Sequence, residues 1–88
     1  INISIAYPNP FTNYCEFVNP QHVSENALLS IYNLNGELIK SMIFSGSNSI
    51  RWNGRNSSNK SVANGMYVYK ISDNLNNTVF VGKVVLKK

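Results

Sequence analysis

Apolar and polar residues alternate along most of this 88-residue chain, and an alternation of period two is the mark of strands with one buried face. "INISIAY" sets Ile1, Ile3 and Ile5 on one side and Asn2 and Ser4 on the other. "PNPF" then interrupts, because Pro8 and Pro10 have no N–H to give a strand ladder. "TNYCEFV" predicts a second strand, with Cys15 and Phe17 sharing a face. In "ALLSIYNLNG" Ala27, Leu29 and Ile31 alternate up to Asn35-Gly36. An Asn-Gly pair between apolar runs predicts a hairpin with a type I′ turn, which needs positive φ at both residues.

The return strand "ELIKSMIF" has a broken pattern: Leu38, Met42 and Phe44 suit one face and Ile39 and Ile43 the other, which predicts a bulge or burial on both sides. "NSIRWNG" pairs Ile50 with Trp52 and stops at Asn53-Gly54. "RNSSNKSVANG" reads as a polar loop pinned by Val62. "MYVYKI" divides Tyr67, Tyr69 and Ile71 from Met66, Val68 and Lys70. "SDNLNNT" turns the chain into a last strand, "VFVGKVVLKK". About seven short strands separated by Gly, Pro and Asn clusters, with no 3.6-residue period, predict one all-β domain over residues 1–88: an immunoglobulin-like antiparallel sandwich. In such sandwiches a tyrosine often stands two residues before a core position of the penultimate strand, and Tyr67 before Tyr69 fits that place.

Composition narrows the chemistry. About one residue in six is Asn and only 14% are charged, so turns and amides replace charge as the solubilising device. The net charge of +4 is spread over different strands and loops without an aromatic row, which argues against a nucleic-acid surface. One cysteine allows no internal disulfide, and Cys15 reads as a small buried hydrophobe. Cys15 and the single histidine, His22, are too few for a zinc site. The carboxylates Glu16, Glu25, Glu37 and Asp73 lie far apart in the chain, so no acid–base pair is indicated. "SDNLNN" offers oxygen ligands, but a hairpin turn accounts for the same residues. Trp52 alternates with Ile50 and is expected in the core, not on a sugar-stacking surface. No stretch is apolar for long enough to span a membrane as a helix. The start at Ile1 without a signal peptide reads as a piece of a longer protein.

The order of the motifs carries more than any single one. "YPNPF", "LLSIYNLNGELIKS", "GSNSIRWNG", "VANGMYVYKI" and "GKVVLKK" follow one another across nearly the whole chain. In this order they resemble the C-terminal sorting domain of the type IX secretion system (type A, the Por secretion tail), found on proteins exported by Bacteroidetes. The resemblance implies a non-catalytic address label without a cofactor. Its partners are the outer-membrane type IX translocon and its sortase, together with a covalently linked N-terminal cargo. It implies passage through the periplasm to the cell surface or the medium, as a monomer. It also puts the recognition signal in the last two motifs: Gly65, Tyr67, Gly82, Lys83, Val84, Val85, Leu86, Lys87 and Lys88 are the expected translocon-contacting residues. Cys15 departs from the aliphatic residue usual at its place. Two other readings share parts of the pattern: a structural module of the flagellar hook-cap type, and a carbohydrate-binding tail of a secreted hydrolase.

Overall fold

A computed structural model describes residues 6–19 and 26–88; the expected facing of Ile1, Ile3 and Ile5 and the positions of His22 and Glu25 lie outside them. The described residues form seven strands: β1 (Ala6–Tyr7), β2 (Cys15–Val18), β3 (Leu28–Tyr32), β4 (Leu38–Ile43), β5 (Ser49–Trp52), β6 (Gly65–Ser72) and β7 (Thr78–Leu86). They build two sheets, ordered β1-β2-β5 and β4-β3-β6-β7, and every neighbouring pair of strands is antiparallel.

The register turns the sequence alternation into two facing layers. In the four-stranded sheet one inner row runs Met42–Leu29–Ile71–Phe80 and the next joins Ile31, Tyr69 and Gly82; Tyr67–Val84 and Gly65–Leu86 follow. The smaller sheet answers with Ala6–Phe17–Ile50 and Cys15–Trp52. Between the layers Phe17 meets Tyr69 edge to face at 4.7 Å and Trp52 meets Tyr67 likewise at 5.4 Å. Phe11, from the segment between β1 and β2, tilts against Trp52 at 5.5 Å. Each such ring, fully buried, contributes roughly 1.5–3 kcal/mol through area, and edge-to-face contact adds about 0.5–1.5 kcal/mol.

β4 contains the expected bulge. Ile31 pairs with Lys40 but Tyr32 with Leu38, so Ile39 is the extra residue. The inserted residue switches facing: Ile39, Met42 and Phe44 pack on the core, whereas Leu38 and Ile43 are exposed. The grouping of Leu38 with Met42 and Phe44 is therefore corrected, because alternation holds only on either side of a bulge.

The Asn35-Gly36 turn also differs from expectation. Positive φ occurs at Gly36 (83°) and not at Asn35, so the loop is a turn closed by one left-handed residue and not type I′. Asn33 organises it: its Oδ1 accepts from the N–H groups of Asn35 and Glu37, and its backbone N–H donates to Glu37 O. The same loop recurs at 56–60 around Asn56 and at 73–77 around Asp73. There Asn59 and Asn76 take the left-handed place of Gly36. Asn tolerates that conformation better than other side chains do. The residues weighed as oxygen ligands in "SDNLNN" thus hold a turn. Two consecutive left-handed residues, the dihedral demand of type I′, fall instead on Ser45-Gly46, where Ser47 N–H donates to Phe44 O and the chain leaves one sheet for the other.

Candidate functional site

All nine residues expected to contact a translocon gather on β6, β7 and the two residues after β7, but they do not share one role. Five of them serve the fold. Gly65 opens β6 at φ 147°, a backbone region closed to most side chains, and faces Leu86. Tyr67 is buried, and its hydroxyl donates to Ala63 O at 2.5 Å, four residues upstream. This is the tyrosine corner expected from the immunoglobulin-like pattern; burial raises the Tyr67 pKa. Gly82 leaves room for a ring: a Cβ there would stand 2.6–2.8 Å from Tyr69 side-chain atoms. A side chain, not a second backbone, lies over this mid-strand glycine. Val84 and Leu86 are fully buried. Leu86 covers Gly54, whose missing Cβ would sit 3.3 Å from Leu86 Cδ2.

The other four present atoms outward. Lys83 and Val85 stand on the solvent side of the four-stranded sheet, opposite Val68 and Met66. Lys87 and Lys88 are exposed beyond β7. A cleft of about 460 Å³ opens there among Thr12, Asn13, Asn53, Arg55 and Lys88.

The far edge of β7 is closed by residues whose part in the site the sequence did not disclose. Phe11 N–H donates to Val85 O at 2.9 Å, and Lys87 N–H donates to Phe11 O at 2.8 Å, a short parallel pairing. One step earlier, the Asn9 carboxamide replaces a strand: its Oδ1 accepts from Val85 N–H at 2.9 Å and its Nδ2 donates to Lys83 O at 3.1 Å. Thr12 Oγ1 donates to Lys87 O at 3.0 Å. Asn64 then brackets Lys88, accepting from its N–H at 3.0 Å and donating to its carbonyl at 3.3 Å. The Lys88 ammonium donates to Ser61 Oγ at 3.2 Å. "YPNPF" reads in sequence as a strand breaker. In the fold it is a clamp.

Trp52 and Cys15 are both taken up by the core. Trp52 is 1% exposed, and its indole N–H donates to Arg55 O at 2.8 Å, so it offers no face to a sugar. Cys15 is completely buried; desolvation, with the nearby Glu16 charge, pushes its thiol up to about 12, far from a nucleophile's range. Glu16 bridges Tyr7 and Arg51 at 2.8 and 3.2 Å on the outside of the smaller sheet. The Tyr7 hydrogen bond, then Arg51, lowers its pKa. Among the described residues no group of three His, Cys, Asp or Glu side chains is placed to hold a metal, and no helix is long and apolar enough to cross a membrane.

Comparison with known proteins agrees with this architecture. Among solved structures, PorZ, described as an essential bacterial surface component of the type IX secretion system of Porphyromonas gingivalis, superposes with a TM-score of 0.76 at 19% identity. The match covers 97% of this chain but 11% of that one, so the chain spans a small part of PorZ, and at this identity the likeness is one of fold. No curated protein shows significant similarity to the chain. The family model for the secretion system C-terminal sorting domain matches residues 5–87. Motif order, sandwich and family match converge: the chain belongs to the C-terminal sorting domains of the type IX secretion system, a family of sorting signals and not of catalysts.

Proposed function

We propose that this domain is the label by which the outer-membrane type IX translocon selects a cargo joined to its N-terminal side. The labelled cargo crosses the periplasm and the outer membrane. A sortase then cuts near or before Ile1, and the cargo is anchored at the surface or released. The observation that carries this reading is the treatment of β7. Its inner residues Val84 and Leu86 lock it into the core, and Asn9 and Phe11 fix its far edge. Lys83, Val85, Lys87 and Lys88 are thereby held in a rigid, outward display. Rigid presentation limits the ordering cost of being recognised.

The test is a fusion of residues 1–88 to a periplasmic reporter in a host with this secretion system. The expected result is reporter on the cell surface or in the medium. A fusion that is folded and intact yet stays in the periplasm overturns the reading. Deleting Val84–Lys88 is also expected to stop export, but it empties two core positions and so stops folding as well. Lys87→Ala with Lys88→Ala separates the two effects, since both side chains are exposed. Export lost from a domain of unchanged melting temperature assigns these lysines to recognition.

A further inference from the structure

The two sheets have unlike outer faces. On the smaller sheet the outward row is Tyr7–Glu16–Arg51, tied together by the Glu16 carboxylate, and the Arg51 guanidinium also lies 4.2 Å from the centre of the Tyr14 ring. On the four-stranded sheet the outward rows are Ile43–Leu28–Ser72–Thr78, Ser41–Ser30–Lys70–Val81, Leu38–Tyr32–Val68–Lys83 and Met66–Val85. Half of these positions are apolar, and four are widely exposed: Leu38 at 56%, Ile43 at 53%, Met66 at 41% and Val81 at 57%. An antiparallel sheet with one solvated face normally alternates to polar residues there. So large a share of exposed apolar side chains on the solvent face of a small sandwich marks a place of contact.

We infer that the outer face of the β4-β3-β6-β7 sheet is the docking surface for a protein partner whose contact patch combines apolar side chains with carboxylates. This rests on the sorting reading and names the surface through which the translocon meets the domain. Charge decides the occupant. The rows contain Lys70 and Lys83 and no Asp or Glu, and the Lys70 ammonium lies 5.6 Å from the centre of the Tyr32 ring, which holds it over the face. Two copies of this chain meeting face to face would set lysine rows against lysine rows, and the Asp73 carboxylate that borders the face beside Leu28 and Ile43 is engaged by the N–H groups of its own turn. An anionic bilayer attracts clusters of about four to eight basic residues, and this face has half the smaller number. Four strands about six residues long span on the order of 400 Å². That area suits a transient contact such as a transported client makes, and not a permanent one. The inference also divides the outward candidates. Lys83 and Val85 belong to this face, and it adds Tyr32, Leu38, Met66, Val68 and Lys70.

The experiment immobilises the 88-residue chain and measures its binding to detergent-extracted type IX outer-membrane complex from an exporting host. Lys70→Glu with Lys83→Glu, and separately Met66→Ser with Val81→Ser, are expected to weaken binding about tenfold or more while leaving the melting temperature unchanged. Lys70→Arg with Lys83→Arg should retain it, and Tyr7→Ser with Arg51→Ala on the opposite sheet should bind like the unmodified chain. Face variants that stay folded and bind undiminished overturn the inference, as does an unmodified chain that does not bind the complex. Two further outcomes overturn it by assigning the face elsewhere. One is loss of binding confined to phosphatidylglycerol vesicles. The other is a dimer in sedimentation that the face variants dissociate. Failure of the sorting reading looks different: the fusion stays in the periplasm although the chain still binds the complex through this face.

Discussion

Gly82 and Tyr69 are a single packing unit, and Gly82→Ala tests it. The added methyl has its nearest contacts at 2.6–2.8 Å on a ring that is itself buried, so neither side can yield cheaply. The expected loss is about 1–3 kcal/mol, read as a lower urea midpoint with an unchanged slope. Tyr67→Phe leaves Ala63 O without its donor and is expected to cost about 0.5–1.5 kcal/mol. Neither residue needs a receptor to explain its identity, and sequence reasoning had no means of separating the two roles. An alternating strand tells which residues share a face, but not what lies across from a glycine. Cys15 gives a pH signature. Its thiol is pushed up to about 12 in the fold against about 8.5 in an open chain. The unfolded state therefore loses its proton first, and stability that is complete below that lower value declines as pH rises toward the higher one. Native Cys15 should resist a disulfide reagent at pH 8 and react on unfolding. Rapid labelling of the folded domain would contradict the burial.

At the scale of elements, three loops at 33–37, 56–60 and 73–77 repeat one construction, an Asn or Asp side chain accepting two backbone N–H groups. Asn33→Ala is expected to cost on the order of 1 kcal/mol, detectable as a fall of several degrees in melting temperature. At Asp73 the Asn77 N–H, followed by that of Leu75, lowers the carboxyl pKa. Its contribution is present above the open-chain value and is lost as pH falls through the lowered one. Asp73→Asn should flatten that part of the acid stability curve, and a curve identical to wild type would refute the role. The positions of these loops were plain in the sequence, since Asn, Asp and Gly cluster between alternating runs. Their geometry was not. Asn-Gly satisfies both a type I′ turn and a turn closed by one left-handed residue, and only the partner strand's register chooses between them. The bulge at Ile39 was visible as a broken alternation, yet which residue was inserted depended on the pairing of Ile31 with Lys40.

For the whole molecule, the seven strands and the sandwich were legible because period two is a strong local signal. Strand order was not, because pairing joins residues distant in sequence and leaves no mark on either alone. The clamp on β7 illustrates this. Nothing in "YPNPF" says that a carboxamide will take the place of a strand edge. Asn9→Ala uncovers Val85 N–H and Lys83 O on the outer edge of a sheet, where unpaired groups invite other chains. The expected outcome is lower stability together with concentration-dependent association in sedimentation. An Asn9→Ala domain that stays monomeric at every concentration would show that the remaining Phe11 pairing suffices.

The bonds from Asn9 to Lys83 and Val85 join residues 74 and 76 positions apart. β6, whose long partner is β7, also holds the inner edge of β3. Closing so large a loop is slow and unrewarded until the contacts at both ends exist. A fragment covering residues 1–81 is therefore expected to remain unfolded in circular dichroism and to be cut quickly by protease, while the 88-residue chain resists. In a cell, native structure in this domain certifies that the ribosome has read through β7. On the sorting role proposed above, a cargo truncated anywhere upstream would emerge without a folded tag, and interrupted translation products would exclude themselves from export.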